Sequence, residues 1–354
     1  MFHPATRPTS RTSPLVISLL LVSVLALTSL ALSGCGKASG DEYPEVGKEP
    51  VIQEPVEPTY WPLTGLEAPS PDAITVRPLS VKIENHAAAR PQTGLNQADV
   101  VYESIAEGGI TRFNCIFQST IPSRLGPVRS ARLSDLWIVP QYSGLFFFSG
   151  ANTDVLNKVK SSTISNMSHD FASALYKRAS DRSAPHNLYL ETEGVYDLAK
   201  EKGYEVTGVY TGLSFAEIAS YATTPTTEIT IPISNYVTVN WKWDAAKKVY
   251  VRYHYDKPHV DSDGAPVVAT NVVVMWAKYT PQSKLNKGSI TYDITLGGTG
   301  PASLFIGGQR IDGTWSASKD APPTFTDAAG NAVRLNPGTT WFEVPPLDIK
   351  ITTK

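Results

Sequence analysis

The chain has 354 residues, a formal net charge of −2 at pH 7 and 42% hydrophobic residues. That length suits two ordinary domains, each with its own core. A slightly acidic balance argues against nucleic acid, whose binding domains are usually basic, and only two cysteines exclude a disulfide scaffold.

At the N-terminus, a head carrying Arg7 and Arg11 precedes a long, uncharged, mostly apolar run over residues 15–31. This pattern describes a secretory signal. Leu32-Ser33-Gly34-Cys35 resembles the bacterial lipobox, where cleavage falls before the cysteine and the cysteine takes diacylglycerol and palmitate. The alternative is an uncleaved anchor, since about 18 apolar residues marginally span a bilayer. The small pair directly before Cys35 favours processing. Removing residues 1–34 would take away Arg7 and Arg11 and no acid, moving the charge from −2 to −4. Attachment would then rest on acyl chains alone, of which stable anchoring needs more than one. The expected location is the extracytoplasmic face of the cell membrane. With Cys35 lipidated, Cys115 has no partner. It alternates with Phe113 and Phe117, which places it on the apolar side of a strand, where a thiol is inert.

Residues 35–59 read as a tether, with Pro44, Pro50, Pro55 and Pro58 among acids and little to bury. Such a segment extends at about 3 Å per residue. A first domain is expected over 60–222. Strands are predicted at 79–86, 98–104 and 110–118, where apolar and polar residues alternate. A helix is predicted over 128–139, a buried strand at 145–149, and helices at 153–160 and 192–202, the last stopped by Gly203. A second domain, 226–354, shows no convincing helix. Residues 237–243 and 249–255 alternate around a turn and read as a hairpin. The expected class is α+β: a mixed α/β domain followed by an all-β sandwich or open barrel.

Signatures for nucleotide-binding loops, zinc proteases, serine hydrolases and dithiol motifs are missing from the sequence. Ser316-Ala-Ser-Lys319 matches a penicillin-binding pattern by chance, without its companion motif. Asp261-Ser-Asp263-Gly264 begins like a calcium loop but lacks the closing Glu, and reads as a turn. No metal-ligand set and no cofactor is expected.

If the first three strands pair, their polar faces present Lys82, Glu84, His86, Asp99, Glu103, Arg112 and Asn114 together. One face in water would be ordinary for such a sheet, but acids, bases and a histidine are an unusual solvated face. On the predicted 128–139 helix, Arg129 and Arg132 fall about 60° apart on an apolar side. Arginines so placed either pair with acids such as Glu84, Glu103 or Glu107, or face an anionic ligand. Arg90, in a loop after the first strand, and His186 with Asn187, in the 182–187 turn, complete the candidate ligand-binding set. Trp241, Trp243, Tyr253, Tyr255 and Trp276 are either a sugar-stacking platform or, more simply, sandwich core.

The segments Arg77-Pro-Leu-Ser-Val-Lys-Ile-Glu-Asn-His86, Ala89-Arg-Pro-Gln92, Ala98-Asp-Val-Val-Tyr-Glu103, Glu107-Gly-Gly-Ile-Thr-Arg112 and Gly126-Pro-Val-Arg-Ser-Ala-Arg132 resemble the YerB-like lipoproteins of bacteria. So do Ala184-Pro-His-Asn187, Pro258-His-Val-Asp261 and Asn271-Val-Val-Val274. The likeness runs in order through about residues 60–350, with Glu84 where Asp is expected. It implies two domains of unassigned function behind a lipoprotein signal, and it lends no catalytic residue. The expected role is binding in the cell envelope, to a wall polymer or to a protein that builds the wall. A hydrolase of envelope glycan or peptide is the alternative, and would need two of Glu84, Glu103 and Glu107 about 5–10 Å apart in a cleft.

Overall fold

Leu79, Val81 and Ile83 alternate with Ser80, Lys82 and Glu84 to give β1 (Leu79–Glu84), and β2 (Val100–Ile105) and β3 (Thr111–Phe117) follow as the sequence predicts. The computed structural model describes residues 57–216, 223–284 and 290–354. The signal, Cys35 and the tether up to residue 56 lie outside the described residues, as does the expected end of the first domain at 217–222.

β3 pairs antiparallel with both β1 and β2. Leu145–Phe147 runs parallel to β1, and Thr340–Val344 runs parallel to β2. Thr340–Val344 also pairs with Asn271–Met275, which pairs in turn with Gly298–Ile306. Strands from both halves of the sequence therefore form one sheet, with a strand from the chain's last fifteen residues at the join. Every residue of β1, β2, β3, Asn271–Met275 and Thr340–Val344 is buried. Polar residues on these strands do not face water; other elements cover them.

Two cores lie on opposite faces of this sheet. On one, Val101, Phe113, Cys115, Val272 and Trp341 meet Ile229, Ile231, Val239, Trp241 and Tyr250 of a second sheet. That sheet contains Glu228–Ile231, Val239–Asp244 and Val249–His254, the last two forming the expected hairpin. On the other face, Val100, Tyr102, Ile116 and Phe342 meet Ile138 and Tyr142. Cys115 is fully buried, and burial pushes its thiol well up, as expected of an inert core cysteine. The fold is α+β, with a mixed first half and an all-β second half built of sheets packed face to face.

Helices α2 (Thr153–Ser161) and α3 (Val195–Glu201) lie close to their predicted positions, and Asn152 caps α2 through Val155 N–H. The predicted 128–139 helix is corrected. The structure places α1 at Asp135–Gln141, and residues 127–131 run extended along β1. Glu84 N–H donates to Pro127 O, Arg129 N–H to Lys82 O, and Ala131 N–H to Gly150 O. The edge of β1 beyond its pairing with Leu145–Phe147, together with Gly150 O, offered these backbone partners, and they outweigh a weak helical periodicity carried by few apolar residues. Arg129 and Arg132 thus precede the helix instead of sharing its first turn. Among the described residues no helix is long and apolar enough to cross a membrane.

Candidate functional site

Strand direction separates the expected constellation into two groups. Glu84 pairs across with Arg112, and Lys82 with Asn114, so these four share a face. Glu103 sits opposite Phe113, which turns it to the other face of the sheet. The expectation that Glu103 stands beside Lys82, Glu84 and Arg112 is therefore corrected. Asp99 is apart from both groups at the strand end, accepting from the N–H of Gln118 and Ser119.

On the first face, cations and acids close on one another. Lys82 Nζ donates to Asp135 at 2.8 Å, with both side chains buried, and Asn114 donates to the same carboxyl at 2.9 Å. Arg112 reaches Glu107 at 2.6 Å, and Arg132 Nε reaches its other oxygen at 2.7 Å. Burial would raise the Glu107 carboxyl, but the two guanidiniums outweigh it and hold it at about 2. Arg129 Nε and His186 Nδ1 each lie 3.1 Å from Glu84, which is only 4% exposed. Asn187 clasps its own turn, donating to Ala179 O and Arg182 O and accepting from Arg178. Glu84, Glu107, Arg112, Arg129, Arg132, His186 and Asn187 line none of five surface pockets among the described residues.

On the second face, Glu103 meets Arg252 of the second sheet at 2.7 Å, and both side chains are 0% exposed. Arg252 lies over the rings of Phe113 and Trp341. Its Nη1 donates to His254 Nε2 at 2.9 Å and to His259 Nδ1 at 2.8 Å. Burial and the Arg252 charge lower both imidazoles, His254 to about 2, so both are neutral. Each neutral ring that accepts on one nitrogen carries its proton on the other. His259 therefore donates Nε2–H to Gln92 Oε1 at 2.8 Å, and His254 has Nδ1–H to offer. Gln92 donates to Asn85 Oδ1, and Asn85 donates to Glu103 at 3.1 Å and to Thr111 at 2.8 Å. These bonds close a ring joining the two halves. Glu343, which accepts from Trp241 Nε1, lies next to it. Burial and the Glu103 charge raise its carboxyl well above the usual range, so it is neutral.

Above this ring opens a pocket of about 240 Å³ at the seam between the halves. Asn85, His86, Arg90 and Ile110 border it from the first half, and Tyr236, His254 and Tyr255 from the second. Arg90 is fixed by Asn85, its Nε donating to Oδ1 at 3.2 Å and its Nη2 to the backbone oxygen at 2.8 Å. Among the described residues Arg90 makes no ion pair, and its Nη1 has no protein partner. Burial and the neighbouring Arg252 lower its guanidinium to about 10. The nearest carboxylate influence is Glu103, which is already committed to Arg252. His86 Nδ1 accepts from Ala88 N–H at 3.1 Å, which leaves Nε2–H for the pocket, and its ring stacks on His186 at 4.8 Å. The pocket thus gathers N–H donors around one uncompensated positive charge.

Of the expected site residues, Arg90 and His86 line this pocket and Glu103 lies beneath it. Sequence reading missed Asn85, Gln92, Tyr236, Arg252, His254 and His259 as parts of one site. The nearest signal was Pro258-His-Val-Asp261, set far from the first-half segments. Asp261 forms the expected turn and also accepts from Gly94 N–H and Asn96 N–H, tying the halves together. Trp241 is core, as the plainer reading of the aromatics holds, whereas Tyr255 is 74% exposed.

Two family models match the chain: the N-terminal domain of DUF3048, a protein of unknown function, over residues 63–205, and its C-terminal domain over residues 229–342. "Putative lipoprotein YerB" of Bacillus subtilis (strain 168) is 31% identical over 299 residues, which is 83% of this chain and 88% of that protein. The crystal structure of YerB from Bacillus subtilis aligns with a TM-score of 0.74 at 30% identity, covering 83% of this chain and 99% of that one.

Proposed function

We propose, for a chain that belongs to the DUF3048 family of YerB-like lipoproteins, that it binds an anionic polymer of the cell envelope through the seam pocket. Lipid on Cys35 would hold it at the extracytoplasmic face of the membrane, and residues 36–59 would let the pocket reach outward. The observation that carries this reading is Arg90, a cation oriented by Asn85 with one nitrogen unpartnered in a pocket that His86 and His254 also line. An anion there would take charge-assisted bonds from Arg90 and N–H donors from His254 and His86. The hydrolase alternative lacks this support. Glu84, Glu103 and Glu107 are each held by an arginine, so none stands free in a cleft as a general acid.

Co-sedimentation of the lipoprotein with isolated cell walls tests the proposal. A charged hydrogen bond contributes about 1.5–3 kcal/mol, so Arg90→Ala should lower retention about tenfold or more. Retention unchanged, in a variant with the parent's unfolding midpoint, would sink it.

A further inference from the structure

The pocket mouth carries two large aromatic side chains that the fold does not use. Tyr236 is 72% exposed and Tyr255 is 74% exposed, although tyrosine rings usually bury most of their apolar area. Tyr255 also sits at φ 53°, a left-handed conformation that glycine takes freely and a bulky residue does not. Backbone strain of this kind persists where function retains it. Tyr236 is positioned from behind. A Cβ on Gly109, itself at φ +73°, would lie 2.4 Å from the Tyr236 ring. That glycine lets the ring lie against the turn between β2 and β3. Ser234 fixes the loop, its hydroxyl donating to Gly109 O at 2.6 Å and accepting from Tyr236 N–H. One ring therefore rests on the 109 turn and the other stands on a strained hairpin tip, and Arg90, His254 and His86 line the same pocket.

From this juxtaposition we infer that the occupant is an acidic sugar, a pyranose ring that packs against both Tyr236 and Tyr255 while its oxyanion meets Arg90. The inference rests on the anion-binding reading of the same pocket and adds the ring. A volume of about 240 Å³ is below the about 300–1,000 Å³ of clefts that enclose drug-sized ligands. It suits one ring of a longer strand, with the rest of the strand outside. Sugar carboxylate and sugar phosphate share the recognised chemistry, and the probes below separate them.

The test is equilibrium binding of the full lipoprotein in detergent to four probes: oligogalacturonate, glucose 6-phosphate, a neutral cello-oligosaccharide and poly(glycerol phosphate), which is anionic without a ring. The acidic ring probes should bind more tightly than the neutral sugar and the ring-free polyanion. Oligogalacturonate above glucose 6-phosphate identifies a carboxylate sugar, and the reverse order a phosphate sugar. Tyr236→Ala and Tyr255→Ala should each weaken the acidic ring probes about tenfold and poly(glycerol phosphate) less than twofold. Tyr255→Gly should lose ring binding with an unfolding midpoint at or above the parent's, because glycine relieves the left-handed backbone. Poly(glycerol phosphate) binding as tightly as oligogalacturonate, or tyrosine variants that leave the ring probes unchanged, would overturn the inference while Arg90 binding stands. Loss of no probe on Arg90→Ala would overturn the underlying reading.

Discussion

The two faces of the β1–β3 sheet carry similar charged residues with opposite outcomes. On the Glu107 face, arginines and carboxylates reach one another directly, two guanidiniums on one glutamate, and among the described residues each of Lys82, Arg112, Arg129 and Arg132 has an acid within reach. On the Glu103 face, one glutamate is saturated by the buried Arg252, and Arg90 beside it is left without an acid. Charge composition alone does not distinguish a locked structure from an open site. What separates them is the count of acids within reach and the neutral relays, Asn85, Gln92 and His259, that fix cations in place without cancelling their charge.

The largest effect should come from the bond between the halves. Arg252→Met would leave the Glu103 carboxyl without its cation in a dry site beside Glu343. Breaking a buried pair from one side typically costs about 3–5 kcal/mol. Urea unfolding should show that loss, and the double variant Arg252→Met with Glu103→Gln should recover much of it. A single variant as stable as the parent would mean that the seam is held by apolar packing alone.

Acid should loosen the same region by a smaller amount. Burial, reinforced by Arg252, lowers His259 well below its ordinary value. An unfolded histidine takes a proton below about 6.5 while the folded one stays neutral. Its contribution is thus complete above that pH and declines as pH falls, by about 1.4 kcal/mol per unit. Glu343, raised by burial, acts in the opposite sense, losing stability as pH rises above the ordinary carboxyl value. The clean measurement is a difference of slopes. Between pH 6.5 and 5, His259→Gln should show a stability slope lower than the parent's by about 1.4 kcal/mol per unit. Equal slopes would place a proton on His259 in the folded protein.

Strand alternation made β1, β2, β3 and the 239–254 hairpin legible, together with the faces of Cys115 and Trp241. Alternation also misled where it was followed by residue type. Glu103 was grouped with Glu84 because both are polar, although Val101 and Phe113 mark Glu103's face as the apolar one. Periodicity describes a strand's two sides but not what covers them. Arg252 joins Glu103 only because Thr340–Val344 closes the sheet between the halves, and no local pattern records a pairing over that separation. The extended 127–131 segment escaped for a related reason, since its partners are backbone atoms of β1, Gly150 and Leu188.

The smallest effects should come from the arginines that attracted most notice in the sequence. Arg132→Ala leaves Arg112 on Glu107, and Arg129→Ala leaves His186 on Glu84. Neither carboxylate is left without a partner, so each loss should stay below the about 3–5 kcal/mol of a buried pair broken from one side. Glu107 is the more sensitive readout. Its carboxyl is held near 2, so its stabilising contribution is present above the ordinary value and disappears as pH falls toward 2. Without Arg132 that decline should still begin at the ordinary carboxyl value, but it should be smaller and end at higher pH. Wall retention by the Arg129→Ala, Arg132→Ala double variant should stay within about twofold of the parent's, well short of the roughly tenfold loss expected at Arg90. Should the double variant lose retention while its unfolding curve is unchanged, the ligand must meet the Glu107 face, and Arg90 would be the structural cation instead.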